Sequence, residues 1–171
     1  YSVASSLDGF IAGPNGEYAW ILVDPDIDFA ALYAGFSGLV MGRKSYEVFG
    51  ATGGAPGPAL PTYVYSRSLP EGERDGVTFV RDAVKHVRAL KAGDSSKPLW
   101  LWGGGELCRE LATAGLLDGI DVAVIPVVLA KGLPMIATPG PQLSLNLRAH
   151  RLYPKTGTLF LEYDVGRNNK R

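Results

Sequence analysis

The sequence predicts an α/β domain: a mixed, mostly parallel sheet flanked by helices, with an antiparallel hairpin at its C-terminal end. Three observations carry this. Short apolar segments alternate with amphipathic ones through the first two thirds of the chain, the pattern of parallel strands joined by helical crossovers. Three of those apolar segments run straight into glycines, hydroxyls or cations, at Gly42-Arg43-Lys44-Ser45, Ser66-Arg67 and Gly103-Gly104-Gly105. The last third changes character: residues 143–147 and 158–163 alternate with period two around Pro154-Lys155-Thr156-Gly157, as a hairpin with one wet face does.

At 171 residues, 46% hydrophobic and 20% charged, the chain suffices for one sizeable core, so one domain is expected over residues 1–165 with a polar tail at 166–171. Lys plus Arg and Asp plus Glu each total 17, and no basic run stands out, which argues against nucleic acid and anionic membranes as partners. Cys108 is the single cysteine, so no intrachain disulfide can form and a reducing, cytoplasmic setting is expected. No apolar run reaches membrane-spanning length, and no Cys or His pair has metal spacing, so no metal is expected.

Residues 1–5 read as the first strand, continued after a polar break by residues 7–12, with Asp8-Gly9 as turn chemistry. Residues 13–20, from Gly13-Pro14-Asn15-Gly16-Glu17 to Tyr18-Ala19-Trp20, form a loop that either closes over a ligand or simply connects. A helix is expected to start at Asp24-Pro25, with Asp24 as N-cap and Asp26 and Asp28 in the first turn. Ile27, Leu32, Tyr33 and Phe36 give it an apolar face. The ordinary role of the two first-turn carboxylates is to complement the helix dipole.

Leu39-Val40-Met41 reads as a strand that delivers Gly42, Arg43, Lys44 and Ser45 to a helix N-terminus, where an anion would meet charge-assisted bonds as well as the dipole. A solvated basic turn is the plain alternative. Residues 50–61, dense in Gly and Pro, are expected to be a long surface loop. Strands follow at 62–65 and 77–80, separated by the Ser66-Arg67-Ser68 cluster and a polar turn at 71–76. Asp82 then caps a helix on which His86 is expected to be solvated.

Leu99-Trp100-Leu101-Trp102 runs into three glycines, and a helix opens at Glu106 and Leu107. Residues without Cβ let a ligand approach the backbone, and free N–H groups at a helix start favour an anion; a tight connection with no ligand remains the alternative. Cys108 is expected as a small core residue, and Gly115 as the left-handed residue ending this helix. Residues 121–129 read as an apolar strand interrupted by Pro126, implying an edge or bulge, with a loop at 131–134. His150 falls on the exposed flank of the hairpin.

Ligands of such sheets bind beyond the carboxyl ends of the strands, so one extended polyphosphate could touch all three junctions. A Rossmann dinucleotide fingerprint does not fit, because Cys108 stands where its third glycine would fall, and neither a P-loop nor a nucleophile elbow is present.

In combination, Ser6-Leu7-Asp8-Gly9-Phe10-Ile11-Ala12, Met41-Gly42-Arg43-Lys44-Ser45, Trp102-Gly103-Gly104-Gly105-Glu106-Leu107 and Ala114-Gly115-Leu116-Leu117-Asp118 resemble the dihydrofolate-reductase-like family. Within it the chain is similar to the branch of the reductase domain of the bacterial riboflavin-biosynthesis deaminase/reductase. The resemblance implies an NADPH-dependent reductase acting on a C=N or C=O bond of a small pterin- or pyrimidine-like substrate, with a homodimer as the assembly. It implies that Ala4, Ile11, Gly42, Arg43, Lys44, Ser45, Gly103, Gly104, Gly105, Glu106 and Leu107 hold the cofactor. Ser66 and Arg67 match the turn that meets the adenosine 2′-phosphate, and residues 13–20 the loop over the nicotinamide. Trp20 and Tyr33 would face substrate, and Asp28 or Asp26 would assist protonation. The chain departs from that branch at Ala19, near Ser2 and at Asp118-Gly119, which points away from riboflavin synthesis itself. A nucleotide-binding or assembly module of the same fold, without turnover, is the alternative.

Overall fold

A computed structural model describes residues 1–51, 60–93 and 95–166. Its strands are β1 (Ser2–Ser6), β2 (Phe10–Ala12), β3 (Gly38–Gly42), β4 (Thr62–Tyr65), β5 (Gly72–Arg74), β6 (Val77–Val80), β7 (Leu99–Leu101), β8 (Gly119–Ile125), β9 (Leu133–Pro134), β10 (Leu145–Tyr153) and β11 (Thr158–Val165). The helices are α1 (Phe29–Ala34), α2 (Arg43–Ala51), α3 (Ala83–Lys91) and α4 (Gly105–Thr113). The fold is α/β with mixed sheets, as the sequence predicts.

A five-stranded sheet runs β5-β6-β4-β3-β7, parallel except for the β5–β6 pair, and a four-stranded sheet runs β1-β8-β11-β10. β1 is parallel to β8, and the rest of that sheet is antiparallel. A parallel bridge between Ser2 and Trp102 brings the end of β7 beside β1. β2 and β9 form a separate antiparallel pair, so the expected loop at 131–134 is in part a strand.

The parallel strands are covered on both faces, which is why they read as unbroken apolar runs. Leu39 and Met41 of β3 pack with Val64, Phe79 and Trp100 against Tyr33 of α1, while Val40 points the other way, to Val87 of α3 and Leu107, Cys108 and Leu111 of α4. Cys108 is fully buried, and burial pushes its thiol up to about 12, so it is an inert core residue as expected.

Several local expectations are corrected. The first helix starts at Phe29, with Asp28 and not Asp24 as its N-cap; Asp28 Oδ1 accepts the Ala31 N–H at 2.9 Å. Asp24 is captured by the β10–β11 turn, where its carboxylate accepts the hydroxyl and N–H of Thr156 at 3.0 and 3.2 Å. The polar turn at 71–76 contains β5, which doubles back on β6. Pro126 is not in an edge strand: β8 is internal and ends at Ile125, before the proline that cannot donate to the ladder. Of the expected loop at 50–61, Gly50 and Ala51 belong to α2, and residues 52–59 lie outside the described residues.

Candidate functional site

β4, β3 and β7 are parallel neighbours, so their carboxyl ends share one edge. That edge assembles the three junctions: Ser66-Arg67 after Tyr65, Arg43-Lys44-Ser45 after Gly42, and Trp102 to Gly105 after Leu101. Register reinforces this, since Gly42 lies opposite Tyr65 and Val40 opposite Leu101.

The glycine turn adopts backbone that side chains resist, with φ +68° at Gly103 and +89° at Gly104. A Cβ on either would also come within 3.3–3.4 Å of Ser45 Oγ, so the serine of one junction lies against the backbone of the other. Gly105 is needed for a different reason: residues 134–137 cross it, and the Ala137 N–H bonds to its carbonyl at 3.1 Å. Gly104 is the N-cap of α4 and offers no side-chain bond, which leaves the first N–H groups of the helix without a side-chain cap. Open backbone, an uncapped helix start, a hydroxyl and nearby cations are what a pyrophosphate requires, so these residues fit the dinucleotide the resemblance implies.

The remaining residues differ in what they offer. Arg43 is tied to Glu47 at 2.6 Å and is partly exposed, and Lys44 is exposed. Glu106 turns away to Arg109, also at 2.6 Å. Leu107 is buried in the core, so only its N–H faces the edge. The Ser66 hydroxyl is used by its own turn, accepting the N–H groups of Ser68 and Leu69 at 3.3 and 3.1 Å. Arg67 is 89% exposed and reaches Glu110 of α4 at 3.9 Å.

On the β1 side, Ala4 sits in register with Ala123, and Ile11 lies in β2, both partly buried. The loop at 13–20 is closed by its own bonds: the Trp20 indole donates to Glu17 O at 3.0 Å, and the Gly13 N–H to the same carbonyl at 2.8 Å. Tyr33, expected to face substrate, is 3% exposed and packed on Trp100 with ring centroids 4.9 Å apart. Both candidate acids hold structure: Asp28 caps α1, and Asp26 pairs with Lys155 at 2.7 Å. Burial works to raise the Asp24 carboxyl, but the N–H of Asp26 and the donors of Thr156 outweigh it and hold it below the usual range.

Sequence reasoning missed two groups. Asp8 accepts the Ser6 hydroxyl at 2.6 Å and the N–H groups of Leu129 and Ala130 at 3.1 and 2.7 Å, tying the β1–β2 turn to the loop after β8. Only the serine two residues before it was a visible signal. His86 is not simply solvated: its Nδ1 lies 2.9 Å from the Tyr65 hydroxyl, its ring meets Tyr63 edge-on, and burial holds it below the ordinary histidine value. Among the described residues no cluster could hold a metal ion, and no helix is long and apolar enough to cross a membrane.

This arrangement of strands, with junctions gathered at the carboxyl edge of β4, β3 and β7, defines a dihydrofolate-reductase-like α/β domain. The chain belongs to the RibD C-terminal domain family, whose model it matches over residues 1–158. It is 29% identical over 159 residues to the uncharacterized protein YyaP of Bacillus subtilis (strain 168), covering 85% of this chain and 83% of that one. Among solved structures, a protein of Shewanella sp. PV-4 named for riboflavin biosynthesis superposes with a TM-score of 0.81 at 24% identity, covering 97% of both chains. Dihydrofolate reductase from Enterococcus faecalis, complexed with NADP(H) and RAB-propyl, gives 0.70 at 18% identity, covering 97% of this chain and 95% of that one. The Thermotoga maritima diaminohydroxyphosphoribosylaminopyrimidine deaminase/5-amino-6-(5-phosphoribosylamino)uracil reductase gives 0.69 at 16% identity over 96% of this chain and 55% of that one.

Proposed function

We propose that this member of a reductase-type family is an NADPH-dependent reductase that passes hydride to a C=N or C=O bond of a small pterin- or pyrimidine-like substrate, as a cytoplasmic homodimer. The observation that carries the reading is the convergence of Gly42-Arg43-Lys44-Ser45, Ser66-Arg67 and Gly103-Gly104-Gly105 on one sheet edge. The NADP(H) bound to the Enterococcus enzyme and the reductase activity of the Thermotoga enzyme support it.

When bound, the nicotinamide supplies the hydride; the chain supplies binding, orientation and a dry site. The backbone of Gly103 and Gly104, the N–H groups of Gly105, Glu106 and Leu107, and the Ser45 hydroxyl take the pyrophosphate, with Arg43 and Lys44 balancing its charge. Ser66 shapes the turn that presents Arg67 to a 2′-phosphate. Ala4 and Ile11 line the nicotinamide end, and Trp20 faces substrate from the loop that covers it. Asp28, which caps α1, or Asp26, which pairs with Lys155, would assist protonation directly or through water.

One observation favours a second reading, a nucleotide-binding module without turnover: Asp24, Asp26 and Asp28 all have structural partners. Calorimetric titration with NADPH and NADH tests the first reading. Saturable NADPH binding is expected, and no binding of either nucleotide would overturn it. Oxidation of NADPH with any of a panel of pterins, pyrimidines and quinones would reject the second.

A further inference from the structure

We infer that Glu110 is a specificity-determining residue for the adenosine end of the cofactor, setting the margin by which NADPH is preferred over NADH. The inference rests on the cofactor reading above and deepens it. Glu110 lies on α4 five residues past Gly105, roughly 7.5 Å along the helix axis from the glycine turn, as a rise of about 1.5 Å per residue requires. There its carboxylate stands 3.9 Å from the Arg67 guanidinium, which comes from the far side of the same edge, beyond β4. The two side chains thus meet between the Ser66-Arg67 turn and the second turn of α4.

The local chemistry narrows what each can do there. The Ser66 hydroxyl is committed to the N–H groups of Ser68 and Leu69, so at this turn the recognising charge is that of Arg67. On α4 the neighbouring Arg109 is occupied by Glu106, and among the described residues Arg67 is the cation that Glu110 pairs with. Both are well exposed, with side-chain exposures of 89% and 41%, so the contact is a weak one that a ligand can displace.

A 2′-phosphate placed beside Arg67 gains from its guanidinium and is repelled by Glu110. A 2′-hydroxyl does the opposite, since it gains little from a guanidinium and can donate to a carboxylate. The ratio of the two affinities is therefore fixed by the pair together and not by Arg67 alone. Removing the negative charge should favour the phosphorylated cofactor selectively, whereas removing the positive charge should disfavour it.

Calorimetric titration of the intact chain with NADPH and with NADH tests this in wild type, Glu110→Gln, Arg67→Gln and Glu73→Gln. The last removes the same charge from the exposed strand β5 and corrects for net charge. Glu110→Gln is expected to raise the NADPH-to-NADH affinity ratio by roughly three- to tenfold, the scale of one unit charge acting on a dianion a few Å away in water. Arg67→Gln is expected to lower it by at least as much, and Glu73→Gln to leave it unchanged. A ratio unmoved by Glu110→Gln, or moved equally by Glu73→Gln, while wild type binds NADPH saturably, would overturn the role of Glu110. Failure of the wild type to bind either nucleotide is a different result: it would remove the cofactor reading, and this inference with it.

Discussion

The Asp8 carboxylate accepts the N–H of Ala130 at 2.7 Å and thereby holds a non-glycine residue at φ +63°, in the left-handed region. The bond spans 122 residues and joins the loops after β1 and β8, which are parallel neighbours.

Asp8→Ala is expected to lower the melting temperature and to loosen β9, and through it the Gly105 contact, so that cofactor affinity falls as well. The Ser6 hydroxyl, joined by the N–H groups of Leu129 and Ala130, outweighs the opposing effect of burial and holds the Asp8 carboxyl below its usual range. Stability from this group is thus full above the unfolded carboxylate value of about 4 and is lost as pH falls through the folded value. Urea denaturation across pH 2–6 should show a shallower acid limb in the variant; identical limbs would remove Asp8 from that role.

Gly104→Ala forces a Cβ into a left-handed residue and against Ser45 Oγ. A loss of about 1–2 kcal/mol in urea unfolding is expected from the backbone alone. NADPH affinity measured on the folded variant should fall as well, because the same Cβ stands on the open face of the turn. Intact affinity would argue that no ligand approaches there.

Arg43→Ala is expected to weaken NADPH by about 1.5–3 kcal/mol, the range for a hydrogen bond to a charged group. Its pair with Glu47 is exposed and contributes little to folding, so stability should barely change. Calorimetry gives both answers, and an unchanged affinity would take Arg43 out of the site.

Burial keeps the His86 imidazole below its usual value, so the folded state prefers the neutral ring. The unfolded chain binds the proton more readily, and stability should decline as pH drops below about 6.5. Tyr65→Phe, which removes the hydroxyl 2.9 Å from Nδ1, should cost about 0.5–1.5 kcal/mol at neutral pH. Thermal melts of wild type and His86→Gln between pH 5 and 8 test the slope, which should be smaller in the variant.

Local chemistry explains which parts of this fold were legible. β4 and β6 match their expected spans, Asp82 caps α3 through the Lys85 N–H at 2.9 Å, and Gly115 takes φ +67° as a helix-ending glycine should. Each depends on residues within a few positions. The start of α1 was not legible, because Asp24-Pro25 and Asp28 are competing cap signals, and the choice is made by Thr156, 132 residues away. Asp8 with Ala130 and His86 with Tyr65 are likewise long-range pairs whose partners leave no mark on nearby sequence. The gathering of the three junctions on one sheet edge was readable because strand ends, glycines and cations are consecutive. The acids were harder to read: Asp26 and Asp28 look alike in sequence, and only tertiary contacts separate a cap from an ion pair.

The bridge between Ser2 and Trp102 joins the two sheets, supported by the Trp100 indole N–H to Ser2 O at 2.9 Å. On its other side Trp102 donates to Val40 O at 2.8 Å, so one residue is stitched into both halves. Val40 and Leu101 of one sheet and Ile120 and Val122 of the other also share one core cluster, so the two halves are fixed to each other by packing as well as by this rung. Since the glycine turn begins at the very next residue, its backbone is anchored at the point where the two sheets meet.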